Sequence, residues 1–184
     1  RSFLPPQEIL TRKGNILKIS ECENLRANVC CAVHQKNGEQ VCGDTVMHFH
    51  TPDGRAVIML SDGMGAGLEA NKSSRSTLEL IGRFVRSGAS VTESARAVIP
   101  VLAARFEKCG FVTLDLLEIN LFSGSARILK YGAAPSFVLS GSSFLCRAIF
   151  SSALPAGAPQ LLPSPPTPTS FSLSPGDRII LMSQ

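Results

Sequence analysis

The sequence predicts an α+β fold in which two grouped helices lie on the face of antiparallel sheet. Three observations lead there. Helical periodicity is confined to one region, from about Leu68 to Phe106. Strand-like segments lie before and after it, separated by tight-turn residues. Strands in hairpins with helices segregated from them form α+β layers rather than alternating βαβ units. No internal repeat is visible.

Residues 1–40 read as a lead-in, with one strand expected around Val29–Val33. A hairpin follows. Met47 and Phe49 alternate with polar neighbours, and Thr51-Pro52-Asp53-Gly54-Arg55 is a turn in which Pro and Asp-Gly each have a turn role. Arg55 to Ser61 is the returning strand. The first helix spans about Leu68 to Arg86, with Leu78, Ile81, Phe84 and Val85 at helical spacing, and Ser87-Gly88 ends it. Ser90-Val91-Thr92-Glu93 is a capping box opening the second helix, whose apolar side is Val91, Ala95, Val98, Leu102 and Phe106. Pro100 is expected to kink or shorten it.

The rest is strand-like. Phe111 to Leu121 runs into the turn Phe122-Ser123-Gly124-Ser125, and Ala126 to Tyr131 returns. Gly132-Ala133-Ala134-Pro135 breaks that strand. Phe137–Leu139 and Phe144–Ile149 make a further hairpin across Gly141-Ser142-Ser143. Ser151 to Ser170 contains six prolines and reads as a long surface loop without regular structure. A last strand, Arg178 to Met182, follows the turn Ser174-Pro175-Gly176-Asp177.

Composition bounds the function. With 184 residues, 44% hydrophobic and 17% charged, the chain is long and apolar enough for one domain with a core. Its net charge of +4 is spread out, and with no Trp and one Tyr it lacks a nucleic-acid surface. The cysteines Cys22, Cys30, Cys31, Cys42, Cys109 and Cys146 include no Cys-x-x-Cys spacing. Reduced thiols are expected rather than a disulfide framework or a zinc site with His34. No apolar run reaches the roughly 20 residues that span a bilayer, and no signal peptide is visible, so a cytoplasmic location is expected. A membrane anchor upstream stays open. The chain starts at Arg1 and ends at Gln184, directly after an apolar run, so it is expected to be a piece of a longer protein.

One segment stands out chemically. Val57-Ile58-Met59-Leu60-Ser61-Asp62-Gly63-Met64-Gly65-Ala66-Gly67 is a buried strand that delivers a carboxylate to its end, followed by alternate glycines. Asp44 and Asp62 each lie nine positions from Asp53, the turn centre. Residues equidistant from a hairpin turn face each other within about 5.5 Å. Two such carboxylates repel unless a cation lies between them, which suggests a Mg²⁺ or Mn²⁺ site of oxygen ligands. The spacing equally admits two turn residues facing water. The glycines also suggest a dinucleotide-binding turn, but its last position is Leu68 and no parallel sheet is evident. His48 and His50 share one strand face and are expected at the surface; no nucleophile constellation involves them.

Six ordered motifs resemble one family. They are Cys42-Gly43-Asp44-Thr45, Leu60 to Gly67, Thr113-Leu114-Asp115-Leu116, Leu129 to Phe137, Ser152 to Gly157, and Pro175 to Ser183. Together they resemble the phosphatase domain of the stage II sporulation protein E family, which is of the PPM (protein phosphatase 2C-like) type. The resemblance covers about residue 40 to the end and implies a phosphatase domain over 41–184. It implies a four-layer α-β-β-α sandwich of antiparallel sheets, here incomplete at the C-terminus, around a binuclear Mn²⁺ or Mg²⁺ centre. The implied activity is hydrolysis of phosphoserine or phosphothreonine, by a metal-activated water, on a regulatory protein of the anti-sigma factor antagonist type. By resemblance Asp62 bridges the metals, the Gly63 carbonyl binds one, and Asp44 completes part of the shell. Asp44 and Asp62 are thus the expected catalytic residues. A homodimer stays open.

The departures are specific. Many eukaryotic relatives carry a His after the Asp-Gly pair as a proposed leaving-group acid, where this chain has Met64. The family continues from Met-Ser into an Asp ligand, where this chain has Gln184. Asp115 reads as a structural mid-strand residue. The alternative expectation is therefore a catalytically inactive, partner-binding domain that keeps the phosphatase fold.

Overall fold

The computed structural model describes residues 8–13, 16–33, 41–65, 67–104, 111–143, 145–158 and 166–183. In chain order the elements are β1 (Glu8–Lys13), β2 (Ile16–Glu21), β3 (Asp44–His50), β4 (Arg55–Gly63), α1 (Gly67–Arg86), α2 (Val91–Ala103), β5 (Val112–Asn120), β6 (Ser125–Tyr131), β7 (Ser136–Leu139), β8 (Cys146–Ile149), β9 (Thr169–Ser172) and β10 (Arg178–Ile180). They build a five-stranded sheet, β3-β4-β5-β6-β9, and a three-stranded sheet, β10-β7-β8, with β1-β2 a separate hairpin. Every pairing described is antiparallel. The dinucleotide-binding alternative therefore has no parallel sheet to stand on.

The large sheet is apolar on both faces, because something packs on each. One face carries the helices. Val57, Met59, Leu114, Leu116, Leu129 and Tyr131 meet Leu78, Ile81 and Val85 of α1 and Val91, Ala95 and Val98 of α2. The other face carries the small sheet, where Leu117, Ile119, Ala126 and Ile128 meet Val138, Ile149 and Ile179. Burial on both faces turns β5 into a nearly continuous buried strand.

Local chemistry accounts for the element ends. The Thr51 amide donates to the Arg55 carbonyl at 2.9 Å, closing the β3–β4 turn. Ser90 caps α2 by accepting from the Glu93 amide at 3.2 Å, while the Glu93 carboxylate accepts from the Ser90 amide at 2.9 Å. That reciprocal box is the one the sequence predicts. The buried Glu118 carboxylate of β5 joins α2 to the sheet. It accepts from Arg55 at 2.9 Å, Arg127 at 3.0 Å and the Val91 amide at 3.2 Å. Pro100 stays inside α2, which ends at Ala103; the expected Phe106 contact lies outside the described residues.

Several expectations need correction. Val29–Val33 forms no regular structure and pairs with no described strand, and its last four residues are exposed. Short strands instead occupy 8–13 and 16–21, where the sequence carries no clear alternation. Phe84 is 42% exposed rather than part of the α1 stripe. It lies about 100° around the helix from the line through Leu78 and Val85. The proline-rich segment is not wholly irregular. Ala156 exchanges two backbone hydrogen bonds with Val112, and Thr169–Ser172 forms edge strand β9 on β6. Pro168 is tolerated because it precedes an edge strand. The last strand ends at Ile180 rather than Met182.

Asp177 organises the approach to β10. Its carboxylate accepts from the Ser174 amide at 2.8 Å and the Gly141 amide at 2.9 Å. These two backbone donors hold its pKa below the ordinary 3.8. Because the folded-state pKa is depressed, the stabilisation is present above pH 3.8 and is lost as pH falls through the lower folded value. Asp177→Asn is therefore expected to destabilise the chain at neutral pH. The gap to wild type, followed by urea unfolding across acid pH, closes as the wild-type carboxylate protonates. Separately, Ser90→Ala should lower stability by about 1 kcal/mol in the same assay.

Candidate metal centre

Strand β4 brings Asp62 to the open end of its hairpin, and the pairing register sets Asp44 of β3 directly across from it. The next positions on that row and below it are Thr113, opposite Asp62, and Asp115, opposite Leu60. Partners in register share a sheet face. Asp44, Asp62 and Thr113 thus form one row facing the small sheet, and Val46, Leu60, Asp115 and Lys130 form the next. Both carboxylates are half-buried. Directly opposite residues lie about 4.5–5.5 Å apart at Cα, close enough for one cation to meet both.

The surroundings hold this end of the hairpin. Ser183 donates to Asp44 Oδ2 at 2.7 Å, and the Asp62 amide donates to Thr113 Oγ1 at 3.3 Å. Asn71 of α1 donates to the Cys42 carbonyl at 2.7 Å, and Ser74 donates to the Gly43 carbonyl at 2.6 Å. The first turns of α1 are thereby anchored to the chain that leads into Asp44. A cleft of about 780 Å³ opens beside the row. Asp44, Val46 and Leu60 line it with the segment around Cys30 and with Met182 and Ser183.

Gly63 is needed for contact rather than flexibility. A Cβ there would lie 2.0 Å from the Ala70 carbonyl oxygen of α1, so only glycine lets the helix backbone approach the strand. Gly65 has φ of 102° with open space around it, and its role is the left-handed backbone that turns the chain from β4 into α1.

Asp44, Asp62 and the Gly63 carbonyl are all oxygen donors, which fits a hard divalent cation such as Mg²⁺ or Mn²⁺ better than a thiolate-seeking one. Among the described residues no group of three His, Cys, Asp or Glu side chains could hold a metal ion. The described cysteines are free thiols and form no such group, and His34 lies outside the described residues. His48 and His50 are exposed on β3, as expected. Met64, directly after the Asp62-Gly63 pair, is exposed.

Three features were not assigned from sequence. Ser183 and Thr113 belong to recognisable motifs, but their hydrogen bonds to the Asp44 carboxylate and the Asp62 amide join residues far apart in sequence. The third is a buried ionic group. Asp115 and Lys130 are 1% and 4% exposed, face each other across β5 and β6, and are hydrogen-bonded. Lys130 also donates to Ser136 of β7 at 2.6 Å. Burial pushes the Asp115 carboxyl up, and the Lys130 ammonium opposes that rise.

The comparisons with known proteins bear on the family and the fold. The family model for stage II sporulation protein E (SpoIIE) matches residues 52–184. Stage II sporulation protein E of Priestia megaterium is 33% identical over 122 residues, covering 66% of this chain. That of Bacillus subtilis is 29% identical over 161 residues, covering 88%. The chain spans only 20% and 19% of the length of these two curated relatives. The solved PP2C phosphatase domain of SpoIIE from Bacillus subtilis, with a fragment of its regulatory domain, superposes with a TM-score of 0.82. It has 26% identity and covers 98% of this chain and 53% of that one.

Gly63→Ala tests the close approach. It should destabilise the chain by about 1–3 kcal/mol in urea unfolding, since a rigid helix backbone rather than a side-chain tip must move. Gly65→Ala, which meets no neighbour but strains a positive φ, should cost about 1 kcal/mol.

Proposed function

Because the chain belongs to the stage II sporulation protein E family, a PPM-type phosphatase family, we propose that it forms part of a metal-dependent protein serine/threonine phosphatase. The substrate would be a phosphoserine or phosphothreonine on a regulatory protein of the anti-sigma factor antagonist type. The observation that carries this reading is the placement of Asp44 opposite Asp62 at the mouth of a hairpin. Among the described residues no helix is long and apolar enough to cross a membrane, which is compatible with action on a soluble protein.

Asp44, Asp62 and the Gly63 carbonyl would hold a Mn²⁺ or Mg²⁺ pair. Once bound, such cations lower the pKa of a water molecule and offset the negative charge that develops at phosphorus. The chain's own part is orientation. Thr113 steadies the Asp62 backbone, and Ser183 directs one oxygen of Asp44. The Asn71 and Ser74 bonds keep α1 over the chain leading into Asp44. Met64 carries no transferable proton, so this position supplies no leaving-group acid.

A second reading, a partner-binding domain without catalysis, is favoured by one observation. Among the described residues no third His, Cys, Asp or Glu joins Asp44 and Asp62 in a group that could hold a metal ion. The two readings separate by experiment. The phosphatase reading predicts Mn²⁺-dependent release of phosphate from a phosphopeptide, lowered at least 100-fold by Asp62→Asn and by Asp44→Asn. Unchanged turnover in folded Asp62→Asn would refute the assigned role. Calorimetry showing no Mn²⁺ uptake by the wild-type chain would favour the non-catalytic reading.

A further inference from the structure

Next to the carboxylate row, the layer between the two sheets holds a buried ionic group. Asp115, Lys130 and Ser136 meet there, from three strands and two sheets, each at most 4% exposed. Ser136 Oγ also reaches Asp115 Oδ2, at 3.5 Å. Leu117, Ile119, Ile128, Val138 and Ile149 form the apolar cluster between the sheets. A buried ion pair is a poor source of stability, because desolvating both charges opposes their attraction, and apolar residues of like volume often do as well. What it adds is direction. An ammonium hydrogen-bonded to two fixed oxygens sets one strand position relative to another, whereas apolar contacts tolerate sliding.

The location gives that direction a purpose. Asp115 is two residues along β5 from Thr113, which pairs with Asp62 and accepts its amide hydrogen. Diagonal neighbours of this kind are roughly 7–8 Å apart. An uncompensated Asp115 carboxylate would therefore be a third negative charge beside the Asp44–Asp62 row. Lys130 neutralises it, and Ser136 keeps Lys130 in place from the opposite sheet.

We propose that Asp115, Lys130 and Ser136 are positioning residues for Asp62, fixing the row of β5 next to the carboxylates and withholding a third carboxylate from them. This rests on the reading of Asp44 and Asp62 as a divalent-cation site. The group touches neither substrate nor reacting atoms in this role.

The test is Mn²⁺ binding by calorimetry, at temperatures well below unfolding, for wild type, Asp62→Asn, Lys130→Met and the double variant Asp115→Leu/Lys130→Met. Lys130→Met bares Asp115 and is expected to change the Mn²⁺ dissociation constant at least tenfold. The double variant removes both charges, so it is expected to fold while still binding Mn²⁺ at least fivefold more weakly, the tie to Ser136 being lost. If Lys130→Met does not fold, the double variant decides. A purely structural group would move the unfolding midpoint and leave the dissociation constant alone. Mn²⁺ affinity within twofold of wild type in the folded variants, with binding abolished by Asp62→Asn, would overturn this inference and leave the metal site standing. No Mn²⁺ binding by the wild-type chain would overturn both.

Discussion

The register of the β3–β4 hairpin is the constraint on which the site depends. Asp44 faces Asp62 because the Thr51–Arg55 turn fixes how the two strands align. A slip of β3 by one residue against β4 would send Asp44 to the helix face, where Thr45 now sits, and leave Asp62 without its partner. The same slip would move Met47 and Phe49 out of the helix-side core. Apolar burial on one face and carboxylate placement on the other are therefore set by one alignment. The energy that holds the register comes from the core and is spread over many side chains; the candidate site it positions rests on two carboxylates.

The helix above the site meets the sheet in two different ways. Its C-terminal half packs Leu78, Ile81 and Val85 on apolar strand residues. Its N-terminal half lies on hydroxyls and bare backbone: Ser74 bonds Thr45 at 2.8 Å and the Gly43 carbonyl, and Gly63 admits the Ala70 carbonyl. Ser61 Oγ is buried in this region without a hydrogen-bond partner among the described residues. A buried hydroxyl left this way costs about 1–3 kcal/mol. The packing beside the carboxylates is thus less favourable than the packing farther away, a pattern common where structure serves a site.

Much of this was legible in the sequence because it is local. The capping box at Ser90, the Thr51–Arg55 turn and the Leu78–Ile81–Val85 stripe are determined by residues a few positions apart. Asp44 and Asp62 were found by counting from a turn, and family resemblance then supplied a chemical reading for them. The misses have one cause. Strand β9 follows six prolines and is a strand only because β6 offers it an edge. Ala156 bridges Val112 for the same reason. The exposure of Phe84 depends on which side of α1 the sheet occupies. None of these could be read from a window of neighbouring residues.

By itself, the sequence determined the fold class, the family, the hairpin that carries the carboxylates and the oxygen-donor character of the site. Those follow from periodicity, turn chemistry and motif order, all encoded at short range. Only the tertiary structure decided what surrounds the carboxylates. It set Ser183 against Asp44 across 139 positions, and it tied Lys130 to Asp115 and Ser136 across two sheets. It also made Gly63 a contact point rather than a hinge. The physical reason is that burial and long-range hydrogen bonding depend on which layers meet, and that is settled only when the sheets and helices pack.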